Sequence, residues 1–173
     1  MISFKKDIDK IRAYGNDVTA LITGASSGMG LLYANYLAEA GCDLVIVSNQ
    51  EKELEDVADR LRNDYGVKVI SRYQDLSQED AAQQLFDFCK NQNAVIDILI
   101  NNAGMFFFHE LDDEYHTKME LMLNLHIMTP THMCRIFGNE MKKRGYGFII
   151  LVSSMAARLP YPGITIYSAT KAY

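Results

Sequence analysis

Apolar residues in this 173-residue chain fall into two patterns that alternate. The first is a short run that is apolar at nearly every position, found at 18–23, 43–47 (Asp-Leu-Val-Ile-Val), 67–70, 96–100 and 148–152. A strand with one face in water would alternate apolar with polar, so these runs predict strands covered on both faces. The second pattern recurs every three or four residues. Leu31, Leu32, Tyr33, Tyr36, Leu37 and Ala40 predict a helix closed by Gly41, and Leu54, Val57, Ala58 and Leu61 mark one face of a charged helix over 51–65 that Gly66 stops. Ser77 is expected to cap a third helix through Ala81, Leu85 and Phe88. A long helix is expected over roughly 113–143, bent where Pro130 removes a backbone hydrogen bond. Strands alternating with helices predict an α/β fold with a doubly wound parallel sheet, and ligands of such sheets bind beyond the carboxyl ends of the strands.

The first strand runs into Thr23-Gly24-Ala25-Ser26-Ser27-Gly28-Met29-Gly30, which opens the first helix. Gly24 would supply the tight turn, Gly28 a close approach of main chain to a diphosphate, and Gly30 close packing of helix on strand. Free N–H groups at the helix start would face the anion. The spacing Gly-x-x-x-Gly-x-Gly matches the common dinucleotide fingerprint only loosely, and no Gly-Lys-Ser/Thr follows, which excludes a nucleoside-triphosphate loop.

Composition narrows the classes. A hydrophobic content of 49% over this length allows one domain to bury a sizeable core, and a net charge of −5 without a basic run argues against a nucleic-acid surface. Cys42, Cys89 and Cys134 are odd in number and isolated, so they read as reduced thiols. His109, His116, His126 and His132 suit no single helical face, and no metal is expected there. Residues 1–17 carry scattered charge with Phe4, Ile8 and Ile11 at helical spacing, which predicts an amphipathic extension rather than a signal peptide or membrane span. A cytoplasmic location is the expectation, with 18–173 as the dinucleotide-binding domain.

The residues with chemistry to offer lie near the end: Ser153-Ser154-Met155, a loop with Pro160 and Pro162, then Tyr167-Ser168-Ala169-Thr170-Lys171. Tyrosine and lysine four apart share a helix face. Bringing a tyrosine pKa from near 10 to near 7 takes about 4 kcal/mol, and a cation about 4 Å away at an effective dielectric near 20 supplies roughly that. Such a tyrosine could give or take a proton at neutral pH, which reduction of a carbonyl by hydride demands as charge grows on oxygen.

Taken in order, the glycine stretch, Asp75-Leu76, Asn101-Asn102-Ala103-Gly104, Asn124, Ser154 and Tyr167-x-x-x-Lys171 resemble the short-chain dehydrogenase/reductase family, NAD(P)-dependent oxidoreductases on a Rossmann-type dinucleotide-binding fold. The resemblance implies cofactor contacts at Thr23, Gly24, Ser26, Ser27, Gly28, Met29 and Gly30, at Ser48 and Asn49, at Asp75 and Leu76, and at Asn101, Ala103 and Gly104. It implies Asp75 at the adenine amino group, and Tyr167 as the acid/base. It also implies Lys171 on the nicotinamide ribose, Ser154 on the substrate oxygen, and Asn124 holding a water that links Lys171 to solvent. An alcohol/ketone pair is the implied substrate class, and its hydrophobic members are suggested by the opening segment. Ser48-Asn49-Gln50 holds neither the acidic residue that often selects NAD nor the arginine that often selects NADP; with no carboxylate to repel a 2′-phosphate, NADP(H) is favoured over NAD(H). Family members continue through further strands and a substrate-covering segment, so the chain is expected to be C-terminally incomplete, and a homodimer or homotetramer is expected. Two other readings stand beside this one. A truncated, non-catalytic dinucleotide-binding or dimerising fragment would need no substrate segment, and a methyltransferase on a related fold would leave Tyr167, Lys171 and Ser154 without a task.

Overall fold

In the computed structural model, which describes residues 17–109 and 116–173, five parallel strands form one sheet: β1 (Thr19–Thr23), β2 (Asp43–Ser48), β3 (Val69–Tyr73), β4 (Ile98–Asn101) and β5 (Phe148–Leu151). Between and after them run α1 (Gly28–Glu39), α2 (Glu51–Tyr65), α3 (Ala81–Asn91), α4 (His116–Leu123), α5 (Thr129–Arg144) and α6 (Thr165–Ala172). The lateral order is β3-β2-β1-β4-β5. The chain therefore steps outward from β1 to β3, then returns past β1 to lay down β4 and β5. The crevice beyond the carboxyl ends of β1 and β4 is the point where that order reverses, the usual ligand position in such sheets.

The continuous apolar runs are explained by the two layers of core. Ala20, Ile22, Leu44, Ile46, Ile98 and Ile100 point to one side and pack with Ala34, Leu37, Leu54, Val57, Ala58 and Leu61 of α1 and α2. The residues between them, Leu21, Val45, Val47 and Leu99, point to the other side and meet Leu85 and Cys89 of α3 and Met133, Phe137 and Met141 of α5. At the end of the sheet away from the crevice, the buried Asp97 carboxylate accepts the Thr19 N–H at 3.0 Å, and the Arg144 guanidinium donates to the Ile96 carbonyl at 2.6 Å.

Several sequence expectations need correction. Ser77 does not cap α3: the helix starts after Asp80 without a side-chain cap, and the Ser77 hydroxyl donates to Asp75 instead. The single bent helix is two helices separated by a π turn over Asn124–Met128, closed by the Thr129 N–H on the Asn124 carbonyl. Pro130 follows the π turn directly, in backbone that is already helical at Met128 and Thr129, so the bond its missing N–H cannot make and the widened turn fall at the same break. β3 and β4 begin two residues later than their apolar runs do. The expected amphipathic helix around Phe4, Ile8 and Ile11, and the start of the long helix near 113, lie outside the described residues.

Candidate active site

The loop from β1 to α1 is shaped by its glycines and by one asparagine. Gly24 has φ +69° and stands where a Cβ would come within 2.9 Å of the Ala103 Cα; at Gly30 a Cβ would fall 2.1 Å from the Gly24 carbonyl oxygen, so α1 crosses the loop at a distance only glycine permits. The Gly24 and Ala25 N–H groups both donate to the Val47 carbonyl, which latches the loop to the end of β2. Asn102 completes the tie: its side-chain amide donates to the Thr23 carbonyl at 2.9 Å, while the Asn102 and Ala103 N–H groups donate to the Thr23 hydroxyl at 3.0 and 2.9 Å. The first turn of α1 has neither a side-chain cap nor an acidic residue, which leaves its N–H groups available to an anion.

A cleft of about 410 Å³ opens over this loop and takes residues from beyond the carboxyl end of every strand. Of the residues expected to bind cofactor, Gly24, Ser26, Ser27, Met29, Ser48, Asn49, Asp75, Leu76, Ala103, Gly104, Tyr167 and Lys171 line it. Thr23, Gly28, Gly30 and Asn101 do not; Thr23 and Gly30 build the frame beneath it, and the buried Asn101 amide turns away toward the Cys134 sulfur at 3.6 Å. Gln50, Gln74, Asn102 and Met105, outside that expected set, line it too. Strand parity was a usable signal for Asn102, because Asn101 continues the Leu99 face toward α5 and Asn102 therefore takes the opposite one.

No carboxylate stands at the end of β2. Ser26 donates to the Gln50 side-chain oxygen at 2.9 Å, so in the 2.8 Å contact between the Ser26 and Ser48 hydroxyls Ser48 is the donor; Ser48 in turn accepts the Gln50 N–H at 3.2 Å. The result is a neutral polar ring beside the exposed Asn49. Beyond β3, burial would raise the Asp75 carboxyl, but bonds from the Ser77 N–H, the Gln78 amide and the Ser77 hydroxyl outweigh it and hold the group below the usual carboxylate range.

The far wall carries the reactive side chains. Tyr167 and Lys171 lie on one face of α6, with the ammonium 5.9 Å from the centroid of the tyrosine ring and donating to the Val152 carbonyl at 3.1 Å. Burial lowers the Lys171 pKa. The Ser153 hydroxyl donates to the Lys171 carbonyl at 2.5 Å, fastening α6 to the end of β5. Ser154 caps the short 3₁₀ turn Met155–Ala157 by accepting the Ala156 N–H at 3.2 Å, and it lies outside the cleft lining. Phe106 meets the Tyr167 ring edge-on, with centroids 4.9 Å apart.

Asn124 is not brought to this group. It opens the π turn and borders a separate surface hollow with Glu120, Leu123, Ile127 and Met128. The extra residue in that turn rotates the succeeding side chains relative to a regular helix, and the buried one that comes to face Tyr167 is His126, with ring centroids 5.8 Å apart.

Comparison with known proteins agrees with this geometry. A family model described as short chain dehydrogenase matches residues 18–173. The very-long-chain 3-oxoacyl-CoA reductase-A of Danio rerio is 34% identical over 160 residues, which are 89% of this chain and 49% of that protein. The chain spans about half the length of the curated relatives it matches. Among solved structures, the bulky-bulky ketone specific alcohol dehydrogenase from Comamonas testosteroni superposes with a TM-score of 0.84 at 33% identity, covering 91% of this chain and 63% of that one. A short-chain dehydrogenase from Sphingobium yanoikuyae in complex with NADPH gives 0.83 at 34% identity, covering 90% and 61%. Five parallel strands in this order, a glycine loop under the cleft and a tyrosine-lysine pair at its wall go together with a match over nearly all the described sheet: the chain belongs to the short-chain dehydrogenase/reductase family.

Proposed function

We propose that this polypeptide is the cofactor-binding and catalytic portion of an oxidoreductase that interconverts an alcohol and a ketone, with Tyr167 exchanging the proton of the substrate oxygen. The observation that carries the reading is the position of Tyr167 and Lys171, together on one face of α6 and both lining the cleft that the strand ends share. The uncapped start of α1 and the open space at Gly28, where a Cβ would meet nothing within 4 Å, fit the diphosphate of a dinucleotide. A nicotinamide cofactor bound there supplies or accepts the hydride.

The chain's own residues do the rest. Asp75 and Leu76 hold the adenine, and Asn49 with the Ser48-Ser26-Gln50 ring meets the adenosine ribose. NADP(H) is preferred because no carboxylate faces a 2′-phosphate there; several similar structures are NADPH complexes. Lys171, fixed by the Val152 carbonyl, faces the nicotinamide ribose and keeps positive charge beside the tyrosine. Ser154 accepts the Ala156 N–H, so its own hydrogen is left to donate to the substrate oxygen. Apolar Leu123 and Met128, exposed on α4 and the π turn, support assembly into a homodimer or homotetramer.

Replacement of Tyr167 by Phe tests the reading. Turnover followed by nicotinamide absorbance is expected to disappear while NADPH still binds; substantial activity in the variant would remove Tyr167 from the mechanism. Binding of NADPH by the unaltered chain without turnover on any alcohol or ketone would favour the non-catalytic dinucleotide-binding reading.

A further inference from the structure

His126 is a buried titratable side chain beside Tyr167 and Lys171 that neither cofactor binding nor the proton step above employs. Its hydrogen bonds fix its chemical form from two directions. Nε2 lies 2.9 Å from the Met105 nitrogen and accepts that N–H, so it carries no proton. Nδ1 lies 2.9 Å from the Thr170 hydroxyl, and that hydroxyl already gives its hydrogen to the Tyr167 carbonyl at 2.8 Å, so it can only accept from the ring. One continuous chain of donors results: Met105 N–H to Nε2, Nδ1–H to Thr170, Thr170 O–H to the Tyr167 carbonyl.

We propose that His126, as the neutral Nδ1–H tautomer, is the positioning residue for Tyr167: it ties the loop after β4 to α6 and holds the tyrosine ring between itself and Phe106. The two rings meet Tyr167 edge-on at interplanar angles of 72° and 86°, with centroids 5.8 and 4.9 Å away. The loop is drawn in close enough that a Cβ at Gly104 would stand 3.1 Å from His126 Nε2 and 3.6 Å from Lys171 Nζ. An imidazolium would break the arrangement, since it would present a second donor to the Met105 N–H and a second cation to Lys171. The groups that face the ring are the Met105 N–H from the loop and Thr170, Tyr167 and Lys171 from α6; Lys171 is the charged group among them. Burial first, and the Lys171 charge second, push the His126 pKa down to about 4.

The inference rests on the functional reading only for its catalytic consequence, so the experiment has two arms. In the first, ¹⁵N ring shifts of the labelled chain should show His126 with Nδ1 protonated and Nε2 bare, unchanged from about pH 8 to about pH 5.5. An Nε2–H tautomer, or titration within that range, would overturn the proposal. In the second, His126→Phe keeps a ring but loses both bonds, whereas the longer amide of His126→Gln can place an acceptor where Nε2 stood. His126→Phe should speed exchange of the Met105 amide by about 100-fold and shift the ¹⁹F resonance of a 3-fluorotyrosine at 167, with His126→Gln recovering most of the Met105 protection. In turnover, kcat should fall by about 10-fold or more while NADPH affinity changes by less than about 3-fold. Unaltered exchange and resonance in His126→Phe would overturn the positioning role. Activity surviving in Tyr167→Phe would instead sink the functional reading and leave the tie between loop and helix standing.

Discussion

At the residue scale, the Thr23 hydroxyl is a junction with no substitute nearby. It accepts two backbone N–H groups, from Asn102 and Ala103, and is 2% exposed, so water cannot replace it. Thr23→Val keeps the shape and leaves both donors unpaired, a loss of about 2–4 kcal/mol by the cost of buried unsatisfied groups. Urea unfolding should show that loss in full, and Thr23→Ser should recover most of it; equal stability of the valine variant would mean the loop finds other partners. His126 adds a pH dependence of definite sign. Its pKa is lowered from 6.5 to about 4 on folding, so the unfolded chain binds the extra proton first. Stability is therefore fully present above about pH 6.5 and declines as pH falls toward about 4, by on the order of 3 kcal/mol for this group alone. Comparing acid unfolding of the unaltered chain with His126→Asn should show a shallower decline in the variant over that window.

At the element scale, the strands were legible because a doubly covered strand has no polar face to obscure it: 43–47 and 148–152 are read off almost without error as β2 and β5. The same property predicts where the sheet is least tolerant. Leu99 and Leu21 are both fully buried in the layer under α3 and α5, and truncating either to alanine should cost about 2–5 kcal/mol in denaturant unfolding. The candidate site was legible wherever a residue stands at or just past a strand end or repeats along a regular helix, as Ser48, Asp75, Tyr167 and Lys171 do. It was illegible where a backbone irregularity decides the facing. A π turn has no residue signature of its own, so nothing in Asn124-Leu-His-Ile-Met said that the third side chain and not the first would turn inward. The Ser77 expectation failed for a related reason: a hydroxyl four residues before a helix also suits a turn, and the Asp75 carboxylate captured it.

At the scale of the whole molecule, the two edges of the sheet are finished differently. Along β3 the guanidinium of Arg62 donates to the Val69 carbonyl through Nε at 3.0 Å and Nη2 at 2.8 Å, and Ser71 donates to Glu55 at 2.5 Å. Charge and occupied backbone groups are what discourage a second chain from pairing there. Along β5 the side chains are Phe148, Ile149, Ile150 and Leu151; the first, second and fourth are 37%, 38% and 61% exposed, and none of the four is charged. An apolar edge in that condition is a template for another strand. The polypeptide should therefore self-associate, and through β5 and not β3. Sedimentation velocity at tens of micromolar is expected to show oligomers for the unaltered chain, with Leu151→Lys or Ile149→Lys moving it toward monomer by placing a charge at the edge. Tyr73→Lys, at the end of β3, should leave the distribution as it was. A monomer throughout, or equal dissociation by substitutions at both edges, would show that association does not run through β5.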